Sequence, residues 1–210
     1  MTATHRALLL DGRRDDEATL AAIHEALVVG LATAGWTVDD WSLRDADISW
    51  CVGCFGCWVK TPGVCLQRGG AREVAARMAR ADLLVYLTPV TFGGYSAQLK
   101  KALDHLIPTL LPALQKIGPE THHPYRYERV PDLLVVGTVA AGAGQGPEAQ
   151  TFRRLVARNV LNLRPGRWAV GVLEDGSGGG QLSDDVAALL ADLQIRSAPS
   201  RTPASPALSA

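Results

Sequence analysis

The chain is 210 residues long, 47% hydrophobic, 20% charged and 6% aromatic, enough for one globular domain with a sizeable core and too little for two. Its 21 Lys and Arg balance 21 Asp and Glu, so it lacks the basic excess with which polyanion binders neutralise phosphates, and no nucleic-acid partner is expected. The apolar stretch at 106–114 is broken by Pro108 and Pro112 and the run at 7–10 is too short for a signal peptide, so the chain is read as cytoplasmic with no membrane partner.

Residues 7–10 predict a short apolar strand ending at Asp11-Gly12. Leu20, Ile23, Leu27 and Leu31 recur at helical spacing, and Gly35 follows where helices commonly stop. Residues 36–43 predict a second strand, with Trp36, Val38 and Trp41 turned toward apolar surfaces. Residues 45–70 read as irregular and hold all four cysteines. Val74 and Met78 mark a short helix, and residues 83–87 form the continuous apolar run of a strand buried on both faces. After a turn-rich loop at 88–95, Ser96 suits the cap of a helix carrying Leu99, Leu103 and Leu106. A fourth strand at 133–136 leads through a small-residue loop at 140–146 to a helix with Phe152, Leu155, Val156 and Val160. A fifth strand at 168–173 precedes a last helix capped by Ser183. Residues 197–210, rich in Pro, Ser and Ala, predict a disordered tail behind a single domain at 1–196.

Five strands alternating with five helices predict an α/β fold, one doubly wound five-stranded parallel sheet with helices on both faces. Ligands then bind along one edge, in the loops at 11–19, 88–95 and 140–146 and the cysteine segment. No internal repeat is present.

Cys51, Cys54, Cys57 and Cys65 follow the spacing C-x2-C-x2-C-x7-C. Confinement to one segment argues for local thiol chemistry in a reducing compartment rather than a disulfide framework. Structural zinc usually takes two separated pairs, whereas three cysteines at successive short spacings resemble an iron–sulfur ligand loop. Gly53 and Gly56 would let the backbone fold around such a cluster. On spacing alone a cluster, zinc, and reduced thiols with one reactive or disulfide-forming pair all remain open.

In the 88–95 loop, Pro89 stiffens the turn, and Gly93 and Gly94 allow backbone to approach a flat ligand such as a flavin ring. The alternative is an ordinary loop. His122 and His123 are adjacent and so point to opposite sides of an extended chain, with only Glu120 or Glu128 near as a third ligand. They are read as a loop near the cofactor or a subunit contact rather than a metal site. The glycines at 142–146 look like a phosphate-cradling fragment, weak evidence alone.

Residues 88–105 closely resemble the flavodoxin-like NAD(P)H-dependent FMN reductases, whose loop reads S-P-V-Y-F-G-x-x-S-A-x-L-K-x-x-x-D-R. Pro89, Val90, Phe92, Gly93, Ser96, Ala97, Leu99, Lys100 and Asp104 match, with Thr91 for Tyr and His105 for Arg. The cysteine segment resembles the family's iron–sulfur flavoprotein branch, C-x-G-C-x-x-C-W…P-G-x-C, through Cys51, Gly53, Cys54, Cys57, Trp58, Pro62, Gly63 and Cys65. In the first loop relatives read G-S-P-R-x-x-G-N-T and grip the FMN phosphate at a helix N-terminus. Arg14 and Thr19 match, but Gly12 replaces Ser, Glu17 replaces Gly and Ala18 replaces Asn. Asp15, Asp16 and Glu17 oppose a phosphate there unless they face solvent, with Arg13 and Arg14 as a partial offset. Past Cys65, Arg68-Gly69-Gly70 stands where relatives often carry an acidic pair.

The resemblance implies FMN at the sheet edge and NAD(P)H as co-substrate, with hydride passing through the flavin to a small acceptor (flavin, quinone or similar). It implies cofactor contacts from Arg14, Thr19, Pro89, Val90, Thr91, Phe92, Gly93 and Gly142, mainly through backbone in the 89–93 loop, and it assigns no catalytic side chain. A 4Fe–4S cluster on Cys51, Cys54, Cys57 and Cys65 would pass electrons to a redox protein, and relatives are commonly homodimers or homotetramers. The altered first loop leaves open a degenerate flavodoxin-like binding domain without FMN. Gly93→Val is expected to abolish flavin binding by blocking backbone approach to the ring.

Overall fold

The computed structural model describes residues 5–194, so the tail expected at 197–210 and the boundary at 196 lie outside the described residues. β1 (Arg6–Asp11), α1 (Ala18–Thr33) and β2 (Thr37–Ser42) come first, followed by the cysteine segment with its one-turn α2 (Gly56–Val59). α3 (Gly70–Met78), β3 (Leu83–Pro89) and α4 (Ala97–Asp104) lead through a 3-10 turn (Ile107–Thr109) to β4 (Gln115–Ile117) and β5 (Glu120–His122). β6 (Asp132–Val139), α5 (Pro147–Leu163), β7 (Trp168–Glu174) and α6 (Gly179–Asp192) follow. One sheet runs β2-β1-β3-β6-β7, parallel throughout. This is the expected flavodoxin-like doubly wound order, which reverses direction between β1 and β3.

Strand alternation divides the core into two halves. Ala7 and Leu9 of β1 and Leu83, Val85 and Leu87 of β3 face α1 and α6, meeting Leu20, Ile23, Leu27, Val186 and Leu190. Leu8, Leu10, Leu84 and Tyr86 face the other side, with Met78, Leu99, Phe152 and Val156 from α3, α4 and α5. Because helices cover both faces, the inner strands β1, β3 and β6 carry continuous apolar runs, whereas the edge strand β2 (Thr-Val-Asp-Asp-Trp-Ser) does not. Each fully buried Leu contributes about 1.5–3 kcal/mol against an exposed one.

Four local expectations are corrected. α4 ends at Asp104, leaving Leu106 outside it: His105 and Leu106 N–H donate three residues back, to Ala102 and Leu103, and Pro108, which has no N–H to continue an α-helical ladder, stands in the 3-10 turn that follows. α6 starts at Gly179, with Gly178 as N-cap, and Ser183 Oγ instead donates to the Gly179 carbonyl one turn back, at 3.0 Å. The cysteine segment, expected to be irregular, contains α2. His122 stands in the β4–β5 hairpin rather than a loop, and Gly118 takes φ +58° in the two-residue connection.

Candidate functional site

The C-terminal ends of β1, β3, β6 and β7 open on a cleft of about 360 Å³ at the switch point. Of the residues expected to bind cofactor, Arg14, Thr19, Pro89 and Val90 line it, joined by Thr138 and Ala140. Thr91, Phe92, Gly93 and Gly142 are not among its lining residues; they sit in the neighbouring loops.

The first loop is a set of matched charges. Asp11, 2% exposed at the end of β1, accepts from the Arg13 backbone N–H at 3.0 Å and pairs with Arg13 Nε at 2.7 Å. Arg14 donates from Nε and Nη2 to Glu17 Oε1, at 3.1 and 2.9 Å, and from its backbone N to Oε2 at 2.7 Å. Asp15 is exposed and pairs with Arg44 at 2.9 Å. Asp16 is exposed with φ +63°, and Asp16 and Asp175 add acidic groups to the cleft. The two arginines that would offset these acids are therefore already held by carboxylates.

Donors remain at the start of α1. Its first intrahelical bond runs from Ala21 N–H to the Glu17 carbonyl at 3.0 Å, and the Glu17 side chain does not cap the helix. The N–H groups of Ala18, Thr19 and Leu20 thus have no intrahelical acceptor, as at the start of any helix. Ala18 and Thr19 line the cleft. An uncapped first turn opening into a cleft suits an anionic group. Thr19 Oγ1 also accepts from Gly176 N–H at 3.3 Å, tying the loop after β7 to this helix.

Beyond β3, Thr91 and Gly94 exchange backbone hydrogen bonds of 3.0 and 2.8 Å around Phe92 (φ +50°) and Gly93 (φ +76°). Positive φ at both central residues marks a tight turn of the primed kind. Val90 N–H donates to the Thr138 carbonyl at 2.9 Å, so the turn leaves the N–H groups of Phe92 and Gly93 uncommitted. Phe92 is 93% exposed at the tip. Ser96 caps α4 as expected, accepting from Leu99 N–H at 3.2 Å, and donates from Oγ to the Gly12 carbonyl at 2.6 Å. That bond clamps the β1 and β3 loops together.

The glycines of the 142–146 loop do not stand free as a phosphate cradle. Gly142 and Gly144 N–H both donate, at 2.8 Å, to the two carboxylate oxygens of Glu174 at the end of β7. These bonds, Gly142 first and then Gly144, hold the half-buried Glu174 carboxyl below its usual range. A group with a lowered folded pKa stabilises above its unfolded pKa and loses that contribution as pH falls through the folded value. The Gly142 and Gly144 amides are therefore expected to keep hydrogen-exchange protection through the ordinary carboxyl range and lose it only as pH falls through the lowered folded value, and Glu174→Ala to lose it at every pH. Unchanged protection in Glu174→Ala would contradict this clamp. Sequence reading missed Glu174, because its contact with Gly142 depends on β6 and β7 being neighbours in register, Val139 beside Glu174.

The four cysteines are gathered around one cavity of about 20 Å³, which His105 also lines. All are free thiols, with Cys54 exposed and Cys57 and Cys65 buried. Burial, followed by the neighbouring Cys65, pushes the Cys57 thiol pKa up. His105 Nε2 lies 2.8 Å from the Ser49 carbonyl and donates to it, so Nδ1 is the acceptor facing the Cys65 thiol at 3.7 Å. Trp58 of α2 donates from Nε1 to the Ile107 carbonyl at 2.9 Å, fastening the segment to the 3-10 turn. The donor chemistry suits a thiolate-held cluster, but the spacing does not: the cavity admits about one water. Among the described residues no three His, Cys, Asp or Glu groups are placed to hold a metal. The His122 and His123 rings diverge, His122 contacting Asn162 and Glu120 at 2.9 Å each and the His123 ring lying tilted against Trp58, with centroids 4.8 Å apart.

Comparison with known proteins matches residues 17–175 to the family model described as NADPH-dependent FMN reductase. An iron–sulfur flavoprotein of Methanocaldococcus jannaschii is 35% identical over 95 residues, 45% of this chain and 48% of that protein. The match thus spans about half the length of that curated relative. Among solved structures, an NAD(P)H:quinone oxidoreductase from Methanothermobacter marburgensis superposes with a TM-score of 0.67 at 14% identity, covering 89% of this chain and 97% of that one. An FMN-dependent NADH-azoreductase from Bacillus anthracis, in complex with FMN, gives 0.61 at 10% identity over 91% and 99%. At such identities these structures speak for the fold alone. No helix among the described residues is long and apolar enough to cross a membrane.

Proposed function

The chain belongs to the NADPH-dependent FMN reductase family, and from that premise we propose that FMN binds in the sheet-edge cleft and serves reduction of a small acceptor of the quinone or flavin class. The observation that carries this reading is the uncapped first turn of α1 opening into a 360 Å³ cleft at the switch point. Bound FMN supplies hydride acceptance from NAD(P)H and electron delivery to the acceptor. The residues present suit it: the N–H groups of residues 18–20 and the Thr19 hydroxyl for the phosphate, and the 89–90 backbone with Thr138 and Ala140 as walls. No cleft side chain is required as acid or base; the chain's work is to hold and orient the cofactor.

The Arg14–Glu17 pair competes with the phosphate. Releasing Arg14 and removing a nearby negative charge, Glu17→Gln is expected to tighten FMN binding about 3-fold, in line with an exposed pair of under 1 kcal/mol. Equilibrium dialysis measures it; weaker binding would show that Glu17 organises the loop for the cofactor instead. For the acceptor, FMN-loaded protein oxidises NADPH or NADH with a soluble quinone, free FMN and an azo dye in parallel. Turnover of the quinone or the free flavin is expected, and turnover of neither removes that acceptor class.

A second reading, an iron–sulfur flavoprotein passing electrons to a redox protein, draws on the four thiols around one cavity. The cavity of about 20 Å³ between the thiols is too small for a cluster as it stands. Iron and acid-labile sulfide in anaerobically purified protein, both lost in Cys54→Ser with the fold retained, are the results expected of this reading. Their absence from the unaltered protein rejects it.

A further inference from the structure

On the opposite half of the core lies a larger cavity of about 780 Å³, within the range of small-molecule pockets. Its walls are α4 and α5, its floor is β3 and the start of β6, and the segment from Leu106 to Leu110 forms a side. None of its lining residues lines the flavin cleft. The lining is mainly apolar, led by Leu103, Leu106, Ile107, Leu110 and Leu155.

Among its polar side chains all are matched except the free thiol of Cys51 and the Tyr86 hydroxyl. Asn159 Nδ2 donates to Tyr95 Oη at 2.8 Å, Asn162 meets His122 at 2.9 Å, and Thr109 Oγ1 donates to the Leu106 carbonyl at 2.7 Å. Lys100 and Asp104 pair with each other. Tyr86, in the middle of β3, is only 2% exposed and lines the cavity, yet its hydroxyl has no hydrogen-bond partner among the described residues. The ring is buried but the hydroxyl opens on the cavity, so an acceptor bound there would pair with it in place of water. Tyr95, whose ring meets that of Tyr86 edge-on at 6.4 Å, accepts from Asn159 and keeps its own proton to donate. Burial raises both phenols, Tyr95 to about 12, so both are neutral donors at neutral pH.

We propose that this cavity is a second binding site, for a neutral, ring-sized apolar molecule whose carbonyl oxygen accepts from the Tyr86 hydroxyl. An anion is disfavoured by the apolar walls, and a pure hydrocarbon leaves Tyr86 unmatched. The site stands apart from the flavin cleft and does not depend on what binds there.

Calorimetric titration of FMN-saturated protein with 2-acetylnaphthalene, and with 2-ethylnaphthalene as the carbonyl-free analogue, tests it. One-to-one binding of the ketone is expected, with the hydrocarbon weaker. Tyr86→Phe should weaken the ketone about 3- to 10-fold, the worth of one neutral hydrogen bond, and leave the hydrocarbon unchanged. Leu103→Trp, which fills the cavity from α4, should abolish binding of both. No ketone binding by the unaltered protein overturns the proposal. So does equal weakening of both probes in Tyr86→Phe, or ketone binding that survives Leu103→Trp. Affinity that falls as the protein self-associates assigns the cavity to a second copy of the chain, and likewise overturns it.

Discussion

Gly93→Val is expected to destabilise the protein by about 3 kcal/mol and to remove FMN binding as a consequence. A Cβ at Gly93 would lie 2.7 Å from both Cβ and Cγ2 of Thr151 on α5, and the residue holds φ +76°, where a β-branched side chain is strained. The collision is with the helix behind the turn, so the sequence-based cause, a blocked approach to the flavin ring, gives way to a packing cause. Denaturant unfolding of Gly93→Val and Gly93→Ala, each with and without Thr151→Gly, separates the two. The packing account predicts that Thr151→Gly recovers part of the lost stability and leaves the cost of positive φ. A Gly93→Val protein as stable as its parent but without FMN would reinstate the ring-approach explanation.

Gly12→Ser, which installs the serine that relatives carry, is expected to harm this chain. A Cβ at Gly12 would lie 2.8 Å from Leu99 Cβ and from Ser96 Oγ, and 3.1 Å from the Leu87 carbonyl. The position is fully enclosed by β3 and α4, and the Ser96–Gly12 bond of 2.6 Å occupies the space the new side chain needs. Overpacking of this kind costs about 1–3 kcal/mol. FMN affinity is expected to fall with it, by dialysis, and Tm to drop by several degrees for a domain of this size. Tighter FMN binding at unchanged Tm would contradict this account of the loop.

The parts of the fold that were legible are those where one short rule governs. The Leu20–Leu31 stripe and the apolar run of β3 follow directly from burial on one helical face and on both strand faces, and Ser96 caps α4 through its own hydroxyl. Three-residue strands such as β4 and β5 are too short to show a period, so the hairpin was invisible. At the candidate site, motif matching singled out Arg14, Thr19, Pro89 and Val90 on the cleft wall, but it could not reveal that Glu17 holds Arg14 or that Glu174 takes the glycine amides. Those partners are ordinary surface acids in sequence. Only the sheet order brings Glu174 to the Gly142 loop, 32 residues away. The cavity-facing Tyr86 hydroxyl gave no sequence signal for the same reason: a Tyr inside an apolar strand reads as core.

The central claim, a flavin oxidoreductase with FMN in the sheet-edge cleft, is tested most directly by anaerobic titration of the FMN-reconstituted protein with NADPH and NADH, followed at the visible flavin band. The account predicts one FMN per chain, bleaching of the band by one equivalent of at least one nicotinamide, and return of the band when a quinone is added. Failure to bind FMN, or bound FMN that neither nicotinamide bleaches, would contradict it.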